Sequence, residues 1–392
     1  MSLRPKPEKR DPLARKVERH VPPGQRSRAA HALAARAATG RFVLQQCADC
    51  QAVTYPPRDV CPQCWGDLVW QDQPRGATLL AETTIRATTD LYFRQLLPWR
   101  IGTVALDAGP TAIAHLSPTL AVGARAEIRL MLDKGGNAAL FALAAGESPD
   151  MTDKQWREFV VPVRGSTVLV TDAGHPVGRA VVEALKAAGA ASIVAGIAPP
   201  ATAPAIEGVR FVSLDLTDTR SVSECLTDIA GPLDIVVNTA RFVRPGQGLL
   251  DQKRALDVGV LGLLRLTQGC GPMLRGRPSA AFVDVISATA LAPDAAYPAF
   301  SAAETARLSL LHSFRHEMRG ANARVISLLV GAVDDADHQS VPLPKVAPAR
   351  IGKGVVEALE QGLETHCIGD TAIDAMQRWS ADPALFIREN SL

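Results

Sequence analysis

The stretch "CADCQAVTYPPRDVCPQC", residues 47–64, restricts this chain more than any other. It holds two CxxC pairs with ten residues between them. Each pair makes a tight knuckle that points two thiolates at one ion, and two knuckles complete a closed tetrahedral site. Cys47, Cys50, Cys61 and Cys64 are therefore the expected metal ligands. Structural zinc is the expected ion, with no coordination position left open for catalysis. Iron fits the same geometry and stays open. A redox dithiol would present a single CxxC in a βαβ setting, which the flanking sequence lacks. Cys225, Cys270 and Cys367 are scattered, unlike a secreted disulfide framework, so a reducing cytoplasm is the expected setting.

A ribbon of this size cannot organise 392 residues, and a chain of that length calls for two or more domains. Hydrophobic residues at 47% and charged residues at 21% suit a globular protein. The charge is uneven. Met1 to Arg41 carry eleven Lys or Arg against three Asp or Glu. Residues 1–40 read as a basic, partly helical arm that is solvated rather than dedicated to nucleic acid. The arm lacks the apolar core of a signal peptide. No apolar run in the chain reaches the ~18 residues of a membrane span, and no membrane partner is expected.

After the ribbon (41–75) come "GATLLAETTIRA", "WRIGTVALDA", "TAIAHLS", "ARAEIRLMLD" and "NAALFALAA". Turn signals separate these five short runs, and none has a helical period. They predict a small closed or half-closed β-barrel over residues 76–147. Residues 25–147 resemble the zinc-ribbon plus OB-fold proteins that accompany acyl-CoA enzymes. The resemblance rests on the ribbon spacing, "YPPR" between the knuckles, "CPQC", the Gly-led strand and the lead-in "RSRAAHALAARAATGRF". It implies a thiolase-like partner subunit that holds the nucleophile, with thiolysis, acyl transfer or retro-aldol cleavage of CoA thioesters as the joint chemistry. An OB barrel can also bind single-stranded nucleic acid. The available aromatics, Tyr92, Phe93 and Trp99, sit in one stretch better suited to a core or a partner-binding loop.

Residues 148–163 read as a linker. From 164 to 392 the pattern changes to a Rossmann domain, an α/β fold with a doubly wound parallel sheet. "GSTVLVTDAGHPVGRAVVEALKAAGA" gives a strand, a glycine-bearing turn and a helix in the order of a dinucleotide-binding βαβ unit. "ASIVAGIA", "VRFVSLDL", "LDIVVNTA", "AAFVDVIS" and "ARVISLLVGAV" supply further strands, with helices between. Residues 164–375 resemble the short-chain dehydrogenase/reductase family through "LDLTD", "LDIVVNTA", "FVDVIS" and "FSAAETARLSLLHSFRHEM".

That resemblance implies hydride transfer with NAD(P). A tyrosine protonates the oxygen, a lysine one turn on tunes it, a serine orients the substrate and an asparagine supports a proton relay. Counting from Ser287 places Phe300 at the tyrosine position and Glu304 at the lysine position. Gly259 falls at the asparagine position. Phe300 has no hydroxyl, and a carboxylate at 304 would oppose a tyrosinate. Tyr297 sits three residues too early. Only Ser287 keeps its type, so no catalytic residue is expected. The cofactor turn departs likewise. "TDAGHPVG" stands for TGxxxGxG, with Asp172 and Pro176 in two glycine places. Thr171, Gly174, Gly178, Asp215 and Asn238 are the residues left to touch a dinucleotide, and Arg241 replaces the glycine of NNAG. NAD(P) is not expected to bind.

The expectation is a non-catalytic accessory subunit, not an enzyme on its own, in an acyl-CoA-processing complex of β-oxidation-like catabolism, with steroid or aromatic side chains as possible substrates. It would dock a thiolase-like subunit. Helices near 251–274 and 300–319 would pair with an active dehydrogenase or a second copy, and acyl-CoA could share the channel. The alternatives are an NAD(P)-dependent oxidoreductase acting on a 3-hydroxyacyl-CoA or similar alcohol, and an OB-fold nucleic-acid binder, against which the modest net charge of +2 argues.

Overall fold

The computed structural model describes residues 21–22, 27–229, 231–244 and 248–390. Most of the basic arm expected over 1–40 lies outside those residues. Its described part is helix α1 (Arg28–Ala37), capped by the Ser27 hydroxyl, which accepts from the Ala30 N–H. Leu33 and Ala37 turn inward from α1.

The ribbon is a three-stranded antiparallel sheet. Strand β1 (Val43–Cys47) lies between β2 (Val53–Thr54) and β3 (Leu68–Asp72). The next five strands close a barrel: β4 (Gly76–Ile85), β5 (Trp99–Leu106), β6 (Thr111–Leu116), β7 (Arg125–Leu132) and β8 (Ala138–Ala144). Their order around the barrel is β4-β5-β6-β8-β7, with β6 and β8 parallel. Alternate residues of β5 and β6 are buried, the period-2 pattern of strands with one face on a core. A bulge between Leu79 and Ala81 bends β4 where it pairs with β5. A short helix α2 (Leu91–Arg94) sits in the β4–β5 connection.

The second domain is a seven-stranded parallel sheet. In chain order its elements are β9 (Thr167–Val170), α3 (Pro176–Ala187), β10 (Ser192–Ile197), β11 (Val209–Ser213), α4 (Thr219–Asp228) and β12 (Ile235–Asn238). Then come α5 (Leu249–Leu256), a π-helical turn Asp257–Leu261, α6 (Gly262–Leu274), β13 (Ala280–Ser287) and α7 (Pro298–Met318). The chain ends with β14 (Ala323–Val330), α8 (Pro348–Glu360), β15 (Thr365–Ile368), α9 (Asp370–Ala381) and α10 (Pro383–Glu389). The strand order is β11-β10-β9-β12-β13-β14-β15. It reverses between β9 and β12, and such a switch point opens a crevice at the carboxyl ends of the strands. All eight residues of β13 are buried, as expected for a strand covered by helices on both faces.

Residues 148–154 stay largely exposed, while the rest of the segment to 163 is packed. Trp156, Phe159 and Val160 share a buried cluster with Trp99, Met131, Phe141 and Leu143 of the barrel. Among the described residues no helix is long and apolar enough to cross a membrane.

Candidate functional site

The metal centre is built from two knuckles of the same shape. In each, the residue after the second cysteine has a left-handed backbone, φ 62° at Gln51 and 67° at Trp65. Its N–H returns to the carbonyl of the first cysteine, Gln51 to Cys47 and Trp65 to Cys61. That turn brings both sulfurs to one side. Cys47 Sγ lies 3.4 Å from Cys64 Sγ, and Cys50 Sγ lies 3.7 Å from Cys61 Sγ. Sulfurs held about 2.3 Å from one zinc stand about 3.8 Å apart at tetrahedral angles. The backbone N–H groups of Cys64 and Gln63 hold the Cys61 thiol down to about 7, while the sulfurs around them push Cys50 and Cys64 up. A side chain at Gly66 would meet Asp49 Oδ2 at 2.0 Å, so the exposed Asp49 carboxylate would have to move aside. The donor set and spacing fit a structural zinc.

The crevice of the parallel sheet holds the other sequence-derived positions. Its centre is a buried ion network. Arg307 on α7 is fully buried and pairs with Asp284 of β13 through Nε and Nη2. Its Nη1 donates to Glu304 Oε1 at 2.7 Å, and Nη2 also donates to the Val285 carbonyl. The other Glu304 oxygen accepts from the Ser287 N–H at 2.5 Å. On the far side, Asn238 Nδ2 donates to Asp284 at 2.7 Å, and the Thr171 hydroxyl donates to Asn238 Oδ1 at 2.8 Å. One chain of hydrogen bonds thus joins the ends of β9, β12 and β13 to α7. Burial pushes the Asp284 carboxyl up, and Arg307 opposes that rise. Glu304 completes this network and meets no amine or hydroxyl of a relay.

The remaining positions are equally occupied. The Ser287 hydroxyl accepts from Thr289 N–H and so caps the turn after β13. Phe300 packs with Tyr297 and Val243, and the Tyr297 hydroxyl meets Ser340 Oγ at 3.2 Å. Gly259 lies in the π-helical turn, where an added Cβ would come within 3.0 Å of Ala303 on α7. Asp215 is turned back on its own loop, accepting from the N–H and the hydroxyl of Thr217. Gly178 must be glycine, because a Cβ there would fall 1.6 Å from the Asp172 carbonyl oxygen. Gly174 keeps a negative φ and faces Ala201 and Asp172.

The first turn of α3, where an anion would sit, is lined by acids. His175 caps the helix through Nδ1, which accepts from Val177 N–H. Asp335 and Asp337 approach His175 from the loop after β14. Burial raises the Asp172 carboxyl, with His175 and Arg241 opposing that rise. Arg241 is nearby, and its Nε and one terminal nitrogen are buried without a hydrogen-bond partner. Sequence reasoning missed Asp284, Arg307, His175, Asp335 and Asp337. The i,i+3 spacing of Glu304 and Arg307 was the one available signal.

Comparison with known proteins agrees with these two parts. Residues 34–69 match the ChsH2, rubredoxin-like zinc ribbon domain, and residues 166–342 match the short chain dehydrogenase family. A 1-deoxy-11-beta-hydroxypentalenate dehydrogenase from Streptomyces avermitilis is 32% identical over 201 residues, 46% of this chain and 74% of that protein. An uncharacterized oxidoreductase from Staphylococcus aureus strain N315 is 27% identical over 210 residues, 49% of this chain and 90% of that one. A short chain dehydrogenase from Burkholderia cenocepacia, solved in complex with NADP, superposes with a TM-score of 0.54. It is 26% identical and covers 58% of this chain and 98% of its own.

Proposed function

The chain belongs to the short-chain dehydrogenase family through its C-terminal domain, and from that premise we propose that it works as a non-catalytic accessory subunit of an acyl-CoA-processing complex. The observation that carries this reading is the Asp284–Arg307–Glu304 network. It fills the place where the family resemblance puts a lysine, with a carboxylate already committed to a guanidinium and a backbone N–H. A proton relay needs a donor that can reach the reacting oxygen. Phe300 has none, and the Tyr297 hydroxyl is engaged with Ser340.

The residues at the α3 N-terminus do not fit a dinucleotide pyrophosphate. Asp172, Asp335 and Asp337 gather where the backbone should attract anions, and their charge opposes a phosphate. Pro176 removes one of the N–H donors as well.

The docking reading rests on the N-terminal half. A zinc ribbon followed by a barrel with the β4-β5-β6-β8-β7 order suits an OB-type module that seats a thiolase-like partner. Leu249, Leu250, Leu256 and Leu261 are exposed along α5 and the π-helical turn, an apolar row suited to a second protein surface. Co-expression with a thiolase-like neighbour should give a complex that survives size exclusion, and failure to co-elute with any such neighbour would falsify this reading. A second reading, an NAD(P)-dependent oxidoreductase, is favoured by the dehydrogenase and oxidoreductase names of the relatives. Saturable NADH binding in a fluorescence titration, with turnover lost in Tyr297→Phe, would establish it over the first.

A further inference from the structure

Among the described residues, and apart from the ribbon and the buried network, one group of side chains is arranged like a ligand set. His175 precedes α3, and Asp335 and Asp337 belong to the short turn around Ala336–His338. His175 Nε2 lies 3.5 Å from Asp335 Oδ2 and 3.3 Å from Asp337 Oδ2. All three donor atoms fall within 4.8 Å of one another.

Asp335 gives the independent sign that something is meant to bind. Its side chain is 1% exposed, and its Oδ2 has no hydrogen-bond partner. Its other oxygen is fixed by the N–H groups of Asp337 and His338 and by His338 Nδ1 at 2.7 Å. The carboxylate is thereby held with its free oxygen towards His175. A buried oxygen left unpaired in this way is costly unless a ligand takes it. Asp335 and Asp337 are the carboxylates of the group, with the Arg241 guanidinium and the imidazoles of His175 and His338 close by.

We propose that His175, Asp335 and Asp337 form a second metal site, which takes a first-row divalent transition ion such as Zn²⁺. An imidazole nitrogen with two carboxylates suits zinc and its neighbours rather than the hard ions magnesium and calcium. Nitrogen and oxygen ligands about 2.0–2.1 Å from an ion stand about 3.3–3.4 Å apart at tetrahedral angles, close to the separations seen. Three protein ligands leave a fourth position for water. His338 orients Asp335 as a metal's outer-sphere partner does. A metal on Nε2 moves the ring proton to Nδ1, so the long 3.3 Å contact from Val177 N–H is given up. The ion then takes over the tie between α3 and the loop after β14.

Cobalt distinguishes this site from the ribbon. Titrating Co²⁺ into the full metal-free chain should first give the intense thiolate charge-transfer bands of the cysteine site. A second equivalent should then bind with weak visible bands only. His175→Gln and Asp337→Asn should each lose that second equivalent and keep the first. His338→Gln should weaken it by about 10–100-fold. Asp337 is 32% exposed, so its variant keeps the fold, which circular dichroism checks, and His175→Gln decides the matter if it does not. Saturation at one equivalent in the wild-type chain, or wild-type affinity for the second in both ligand variants, overturns the proposal.

Discussion

Glu304 shows how one buried carboxylate draws partners around it. A carboxylate at this depth needs a cation, and Arg307 lies one turn on. The guanidinium in turn has five N–H donors to satisfy, and Asp284 takes Nε and Nη2. Removing one partner of such a set strands the rest. Arg307→Met should cost about 3–5 kcal/mol, read as a lower guanidinium midpoint. Glu304→Lys should destabilise as well, by placing a cation beside Arg307, and should not produce NADH-dependent reduction of a carbonyl substrate. His115 makes a second prediction at this scale. It accepts from Trp99 Nε1 at 2.8 Å, and burial among aromatic rings pushes its pKa down to about 4. In the unfolded chain the imidazole titrates near its ordinary value of about 6.5. As pH falls the unfolded state takes the proton first. The stability is therefore full above about pH 6.5 and is lost on the way down to about pH 4, by about 3 kcal/mol at most. His115→Gln should flatten the difference between midpoints measured at about pH 7 and about pH 4.5. Counting from Ser287 singled out Glu304 as a residue to examine, and the structure shows it buried. The role of Arg307 was not legible, because its partner Asp284 lies 23 residues away on another element.

The elements differ in how far local sequence specifies them. Each CxxC knuckle closes on itself within a few residues, so the four ligands could be read directly. Its sheet is small and depends on the ion. Cys61→Ser should release zinc and remove the β1–β3 sheet while the parallel sheet remains, measured by metal analysis with circular dichroism. The turn between β9 and α3 is fixed by contact rather than by a dihedral angle. Gly178→Ala pushes a methyl into the Asp172 carbonyl and should cost about 1–3 kcal/mol or more, seen as a lower melting temperature. The strands of the parallel sheet were legible up to β14, each as an apolar run between turn signals. The edge strand β15 was not. It is only the four residues "THCI", half-exposed and paired on one side, too short and too polar to announce itself. The π-helical turn at Gly259 was equally hidden, since the contact behind it is with Ala303, far along the chain.

The whole molecule is joined by backbone contacts that no motif marks. Arg324 donates to the carbonyls of Leu132, Phe159 and Gly362, and so ties barrel, connector and parallel sheet together. The N–H groups of Glu364 and Thr365 both reach the Ala38 carbonyl at the end of α1. Val161 N–H donates to Leu359. With this bridge intact the barrel and the Rossmann domain should unfold together. Arg324→Met leaves three carbonyls without their donor and should split one calorimetric transition into two. The sequence by itself determined the four-cysteine cluster and the strand–helix alternation, because each depends on residue type at short spacing. Tertiary structure alone decided which partners surround Glu304, how the acids of the β14 loop meet His175, and how the two halves are fastened. Those contacts join residues tens to hundreds of positions apart, and a buried charge reveals its partner only once the chain has folded around both.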